Sequence, residues 1–365
     1  MNRISSPAGL RDFMPAEVRK KRRLQQTIET IFKQSGCQEI STPTMEYEDT
    51  YRAAFQDDMA AQEMFSFGGQ QGSLTLRLDM TVPIARTAST KLKDERPLRL
   101  FYTEDVFKVR RLFQGQRSQV TDCGVEMFGI GQEGDLEILA LACQVMDAIS
   151  EGWMLEIGDV RYFQTACKKL NLDQDTIHTL AYLIHRKSLP DLQLYLQQEN
   201  IAHGEFFARL PLLAGKEEAL QEAASLAFCE EQKEYVLQLD RLCAGLEALG
   251  YGDHIQVDLG KVPHLNYYTG RIFEAYCPGI GFSVLSGGRY DDLLAKFGQP
   301  DPACGFSVKL DYLTDIEPDR KETEPVTIRC GKNRILDGLD LAGRIRKERP
   351  AILDYVEEDI LEVME

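Results

Sequence analysis

Between Leu100 and Gly129 the chain alternates apolar and polar positions twice, with a long polar run between the two stretches. Phe101, Val106 and Phe107 mark the first stretch. Val125, Met127 and Phe128 mark the second, with Glu126 set among them. The pattern predicts two strands joined by a loop that turns at Gly115, giving a binding floor under a mobile cover. Upstream, Leu24, Ile28, Ile31 and Phe32 recur at helical spacing and predict a helix over Ala16–Ser35, ended at Gly36. A strand follows from Gln38 to Thr42 and stops at Pro43. Met64–Asp79 reads as a hairpin turning at Gly68, Gly69 and Gly72, with Leu74, Leu76 and Leu78 alternating on its second arm. Thr81, Val82 and Pro83 start the next helix, where proline is tolerated.

Downstream, a helix over about Gly134–Ser150 precedes a short strand near Trp153–Ile157. The period then becomes helical from Arg161 to Gly250, with segments Thr176–Leu183, Leu189–Gln198, Glu217–Leu226 and Gln232–Leu249. Strand patterns resume at HIQVDLGKV, RIFEAY and GFSVLSGG. This order predicts an α+β core over residues 1–160 and 251–314, interrupted by an all-helical insertion over 161–250. Residues 315–365 read as a polar linker, a strand at VTIRC and a helix from Ile335 ended by Pro350, one short βα tail.

Composition narrows the picture only slightly. The 365 residues are 43% hydrophobic and 27% charged, ordinary for a globular chain large enough for two domains. No apolar run is long enough to span a bilayer, and the opening residues carry no signal-peptide pattern, so a cytoplasmic chain is expected. Nine cysteines lie scattered without metal-ligand spacing, consistent with buried reduced thiols and no metal site. The formal net charge of −16 is a poor footprint for a nucleic-acid binder. The run Arg19, Lys20, Lys21, Arg22, Arg23 reads as a solvated helix face.

Candidate chemistry gathers around the organising hairpin. Lys108, Arg110, Arg111 and Arg117 lie toward its loop, with Asp122 and Glu126 further along. Cations at one end and carboxylates at the other suit a zwitterion such as an amino acid. Asp79 and Thr81 stand at a strand-to-helix junction, fit either to cap the helix or to bind an ammonium group. Tyr267, Tyr268 and Tyr290 flank glycine-rich turns and read either as core tyrosines or as the wall of a pocket.

The order of these segments resembles the catalytic core of histidyl-tRNA synthetase over roughly residues 1–313. GLRDFMP resembles the lead into motif 1, and LRLDMT the segment holding the histidine amino group. The hairpin resembles motif 2, and LNYYTGRIFE the histidine-recognition segment. SGGRYDDLLAKFG with ACGFSVKLDYL resembles motif 3. The resemblance implies a class II synthetase-like antiparallel sheet flanked by helices, dimeric through motif 1. It also implies a histidine pocket of Asp79, Thr81, Lys108, Asp122, Glu126, Tyr267, Tyr268 and Tyr290.

Departures from that pattern fall on the phosphate side. Lys108 stands at the arginine position that grips the ATP α-phosphate, and lysine lacks the planar fork. Tyr312 stands at the motif 3 arginine, Pro263 at the recognition-segment arginine, Gln116 at the loop arginine and Arg110 at a glutamate. Loss of one group that meets developing charge costs on the order of 10²–10³ in rate, so little adenylation is expected. A tail of about fifty residues is also short of an anticodon domain of the usual size, and no tRNA binding is expected.

Pocket kept, phosphate side lost: this combination resembles the regulatory subunit family of ATP phosphoribosyltransferase. The resemblance implies a non-catalytic chain without cofactors that associates with a short-form catalytic subunit. It implies L-histidine as effector, feedback regulation of the first step of histidine biosynthesis, and a dimer within a hetero-octamer of four regulatory and four catalytic subunits. The competing expectations are a truncated synthetase-like enzyme that activates an amino acid with ATP, and a paralogue that ligates an amino acid to a protein.

Overall fold

Apolar side chains on alternate positions of the central hairpin face opposite ways, and this sets one core on each side of it. The computed structural model describes residues 6–55, 63–70, 72–110, 115–262, 267–320 and 323–364. Arg111 and Pro263 lie outside these. Two compact units are resolved, Met1–Glu317 and Pro318–Glu365.

In the first unit the strands are, in chain order, β1 (Gln38–Glu39), β2 (Met45–Tyr47), β3 (Ser66–Gly69), β4 (Gly72–Leu76), β5 (Leu98–Phe107), β6 (Gln119–Phe128), β7 (Met154–Asp159), β8 (Ala214–Gly215), β9 (Ile255–Asp258), β10 (Arg271–Tyr276), β11 (Leu285–Arg289) and β12 (Ala303–Lys309). Nine of them form one sheet in the order β1-β5-β6-β12-β11-β10-β7-β9-β8. Its pairs are antiparallel except β1–β5 and β7–β9. A small sheet β2-β4-β3 stands apart from it.

On one face, Phe101, Cys123, Val125, Met127, Phe306 and Val308 pack under helices Pro15–Gln34 and Glu133–Ile149. The first helix supplies Leu24, Ile28 and Phe32, a stripe at i, i+4 and i+8 that is fully buried. Tyr102, Val106, Val120 and Phe128 face the other way and meet Tyr51, Phe55, Tyr267 and Tyr290. The candidate site residues Asp122, Glu126, Tyr267 and Tyr290 lie on this second face.

Residues 160–248 hold the helices Val160–Lys169, Gln174–His185, Leu189–Gln198, Gly204–Arg209, Glu217–Leu226 and Glu230–Ala248. The two-residue strand β8 interrupts them and joins the edge of the main sheet beside β9. It is too short for any alternation to reveal.

The second unit extends the strand and helix expected there. β13 (Val326–Gly331) pairs in parallel with β14 (Ala351–Val356) and antiparallel with β15 (Leu361–Met364), and helix Ile335–Ile345 lies between β13 and β14 in the chain. Val326, Ile328, Ala342 and Ala351 form its small core.

Candidate functional site

Strand register sets the floor of the site. Across β6 and β12, Glu126 faces Gly305 and Asp122 faces Lys309. Across β11 and β12, Gly288 faces Gly305. A Cβ at Gly305 would overlap Glu126 Oε2, and one at Gly288 would meet Tyr268 Cε1 at 2.7 Å. These glycines leave room for the glutamate and the tyrosine to lie flat over the sheet.

Glu126 is the centre of the arrangement, with 1% of its surface exposed. It accepts a hydrogen bond from Thr81 Oγ1 at 2.7 Å and a very short one from the Tyr290 hydroxyl. Burial pushes its carboxyl up to about 8, although both hydroxyls favour the ionised form; the nearby Asp79 pushes it further. Tyr290 packs edge-on against Tyr267 with ring centroids 5.8 Å apart, and Tyr267 lies 4.8 Å from Tyr268 and 5.6 Å from Phe55. The three tyrosines therefore form one aromatic wall over the carboxylate.

Asp79 accepts from the Val82 backbone N–H at 3.0 Å and so satisfies a first-turn N–H of helix Thr81–Thr90 from one residue before its N-cap, Met80. Burial raises its carboxyl, and Lys108 offsets this in part. Asp122 is pushed up to about 7 by burial, against the pull of Lys309 and Lys108. Asp79, Thr81, Asp122, Glu126 and the three tyrosines thus share one electrostatic environment, in which the charge of Lys108 acts on both aspartates.

Arg110 and Arg117 are committed elsewhere. Arg110 pairs with Glu63 at 2.7 Å. Arg117 donates to the Asp311 carbonyl at 2.6 Å and pairs with Asp315 at 2.5 Å. Its guanidinium also lies 5.0 Å from the centre of the Tyr312 ring, and its backbone N–H donates to the Tyr312 hydroxyl at 3.0 Å. Phe282 packs against the same ring at 4.4 Å. What remains open there is a cavity of about 140 Å³, lined among others by Lys108, Gln116, Asp122, Lys309 and Tyr312. Pockets for drug-sized ligands run from about 300 to 1,000 Å³.

Two features escaped the sequence. Lys309 joins the site because the register sets it opposite Asp122. Lys21, expected on a solvated face, pairs with the buried Asp311 at 2.7 Å and donates to Thr121 at 2.5 Å. Among the described residues, no group of three or more His, Cys, Asp or Glu is placed to hold a metal ion. No described helix is long and apolar enough to cross a membrane.

A family model described as histidyl-tRNA synthetase matches residues 9–313. An ATP phosphoribosyltransferase regulatory subunit of Thermoanaerobacter sp. (strain X514) is 34% identical over 313 residues, covering 84% of this chain and 81% of that protein. Another, of Bacillus cereus (strain G9842), is 30% identical over 357 residues, covering 94% and 84%. The chain belongs to the ATP phosphoribosyltransferase regulatory subunit family. Its role is accordingly regulatory, in histidine biosynthesis. The fold agrees with this membership. A crystal structure from Bacillus halodurans C, described as an ATP phosphoribosyltransferase regulatory subunit/histidyl-tRNA synthetase, superposes with a TM-score of 0.85 at 30% identity, over 97% of this chain and 93% of that one. Histidyl-tRNA synthetase from Nostoc sp. PCC 7120 superposes at 0.77 with 21% identity, a likeness of fold alone. The family thus has a class II synthetase-like core, and the nine-stranded, mostly antiparallel sheet is that core.

Proposed function

We propose that this chain is a non-catalytic regulatory subunit that associates with a short-form ATP phosphoribosyltransferase catalytic subunit and carries L-histidine as effector in the Glu126 pocket. One observation carries the reading. The carboxylate–tyrosine half of the site is assembled, with Thr81 and Tyr290 both donating to Glu126, while Tyr312, at the position of the synthetase's motif 3 arginine, is packed against Phe282 and Arg117.

Histidine meets the pocket's chemistry point by point. Its ring nitrogens suit Glu126 beneath the tyrosine wall, and its ammonium suits Asp79 and Thr81. Its carboxylate suits the cationic end at Lys108. Binding shifts catalytic activity only if histidine prefers one state of the complex over another. The assembly that goes with this reading is a dimer of the chain within a hetero-octamer, cytoplasmic and without bound tRNA.

Co-purification with a short-form catalytic subunit tests the partnership. The expected result is a stable complex whose phosphoribosyl transfer needs this chain and falls when L-histidine is added. A catalytic subunit equally active alone, with no complex formed, would sink the proposal. Histidine-dependent ATP–pyrophosphate exchange tests the non-catalytic part, and exchange is expected at background. Turnover above background would revive the amino-acid-activating reading, with Lys108 supplying the remaining cation.

A further inference from the structure

Lys309 and Asp122 face each other in register across β6 and β12, yet they do not pair. The Lys309 amine donates to the Ser283 carbonyl at 3.0 Å and lies 3.3 Å from the Ser283 hydroxyl. No carboxylate among the described residues lies within ion-pairing distance of it. Asp122, 8% exposed, opens with Lys108 onto the same small cavity. Two amines and a carboxyl therefore surround an open volume without closing on one another. Buried charges are normally paired, because an isolated one is costly to desolvate. A ligand that brings its own charges completes such a cluster.

Asp122 and Glu126 lie four residues apart on the same face of β6, roughly 13 Å at about 3.3 Å per residue. The Tyr102 hydroxyl lies over Gly124 between them, 2.5 Å from where a Cβ would stand, so a ligand held at both ends lies across that hydroxyl.

We infer that Lys309 is the specificity-determining residue for the ligand's α-carboxylate, so that the pocket takes the free amino acid and rejects the same ring borne on a simple amine. Burial also holds the Lys309 amine below the usual lysine range, against the pull of Asp122 and Glu274, as expected of a cation short of an anion. The assignment rests on the histidine reading and names a residue which the resemblance did not. Lys108 remains the second cation of the cluster, its charge favouring the ionised forms of both Asp79 and Asp122 without a direct bond to either.

Calorimetry on the full chain with L-histidine and with histamine, which lacks the carboxylate, tests it. Wild type should bind histidine at least about tenfold more tightly, the scale of one charge-assisted hydrogen bond. Lys309→Met should collapse that ratio towards one while histamine affinity stays within about twofold. Lys309→Arg should keep most of the ratio. A Lys309→Met chain that discriminates as wild type does overturns the assignment. So does one that melts normally but loses histamine too, since the lysine would then serve the ring and not the carboxylate. If the methionine variant does not fold, Lys309→Gln is read in the same way, because it removes the charge and leaves a donor for Ser283. Absence of histidine binding to wild type would instead overturn the histidine reading itself, and is told apart by needing no variant.

Discussion

Glu126→Ala should weaken L-histidine binding about a hundredfold, measured by calorimetry on the full chain. Truncating one member of a buried, hydrogen-bonded charge pair costs about 2–5 kcal/mol, and each 1.4 kcal/mol is a factor of about ten. The alanine removes the ring's acceptor and also leaves the Thr81 and Tyr290 hydroxyls, which now donate to Glu126, without their partner. An unchanged affinity would move the effector out of this pocket, to the interface with the catalytic subunit.

The same carboxyl gives stability a pH dependence with a definite sign. Burial pushes Glu126 to about 8 and Asp122 to about 7, whereas both titrate near 4 in an unfolded chain. Between these values the folded chain keeps protons that the unfolded chain has released. Stability therefore falls as pH rises from about 5 to 8. Glu126→Gln cannot ionise and should lose less melting temperature between pH 6 and pH 8.5 than wild type does. Equal losses in the two chains would mean that Glu126 is already ionised in the folded state. A bound ammonium, already protonated in solution, also favours the ionised carboxyl. Histidine binding near pH 7 should then release protons, seen as a binding heat that varies with the ionisation enthalpy of the buffer.

The parts of the site that could be read in the sequence share one property: their signal is local. The hairpin β5–β6 shows itself because two apolar stretches flank a long polar loop, and Glu126 stands out because it interrupts an apolar run. Asp79 and Thr81 show themselves through the strand-to-helix junction that they occupy. Lys309 does not, since ACGFSVKLDYL gives its face only once the pairing of β12 with β6 is known, and register is a long-range property. Arg110 and Arg117 read as free cations because Glu63 and Asp315 lie far from them in the chain. In the second unit, β14 and β15 carry no such signal, because their apolar residues are mostly exposed and the period of two is blurred.

Asp135→Ala should cost about 3–5 kcal/mol of folding stability in urea unfolding, the largest structural effect expected in the molecule. In the sequence Asp135 is one more acid in the first turn of a helix, worth a few tenths of a kcal/mol to the helix dipole. In the fold it is 3% exposed and takes the Arg289 guanidinium at 2.6 Å. Its second oxygen lies 3.8 Å from Arg271 Nε, and both of those atoms are buried without a hydrogen-bond partner. Arg271 keeps Asp159 at 3.1 Å and Gln238 at 2.9 Å; Arg289 keeps Asp291 at 2.9 Å and the Gly131 carbonyl at 2.5 Å. Alanine would leave two buried cations sharing too little charge, and breaking a buried pair on one side costs that much. Glu137, two residues on, provides the contrast. It pairs with Arg99 at 2.7 Å at the surface, and Glu137→Ala should cost less than about 1 kcal/mol. The buried network also reaches the pocket, because Arg289 directly precedes Tyr290. An Asp135→Asn chain, which keeps an acceptor but not the charge, should fall between these two in stability. It should also bind histidine more weakly than wild type if Arg289 positions the tyrosine. Losses of similar size for Asp135→Ala and Glu137→Ala would show that water reaches the Asp135 network and screens it as it screens a surface pair.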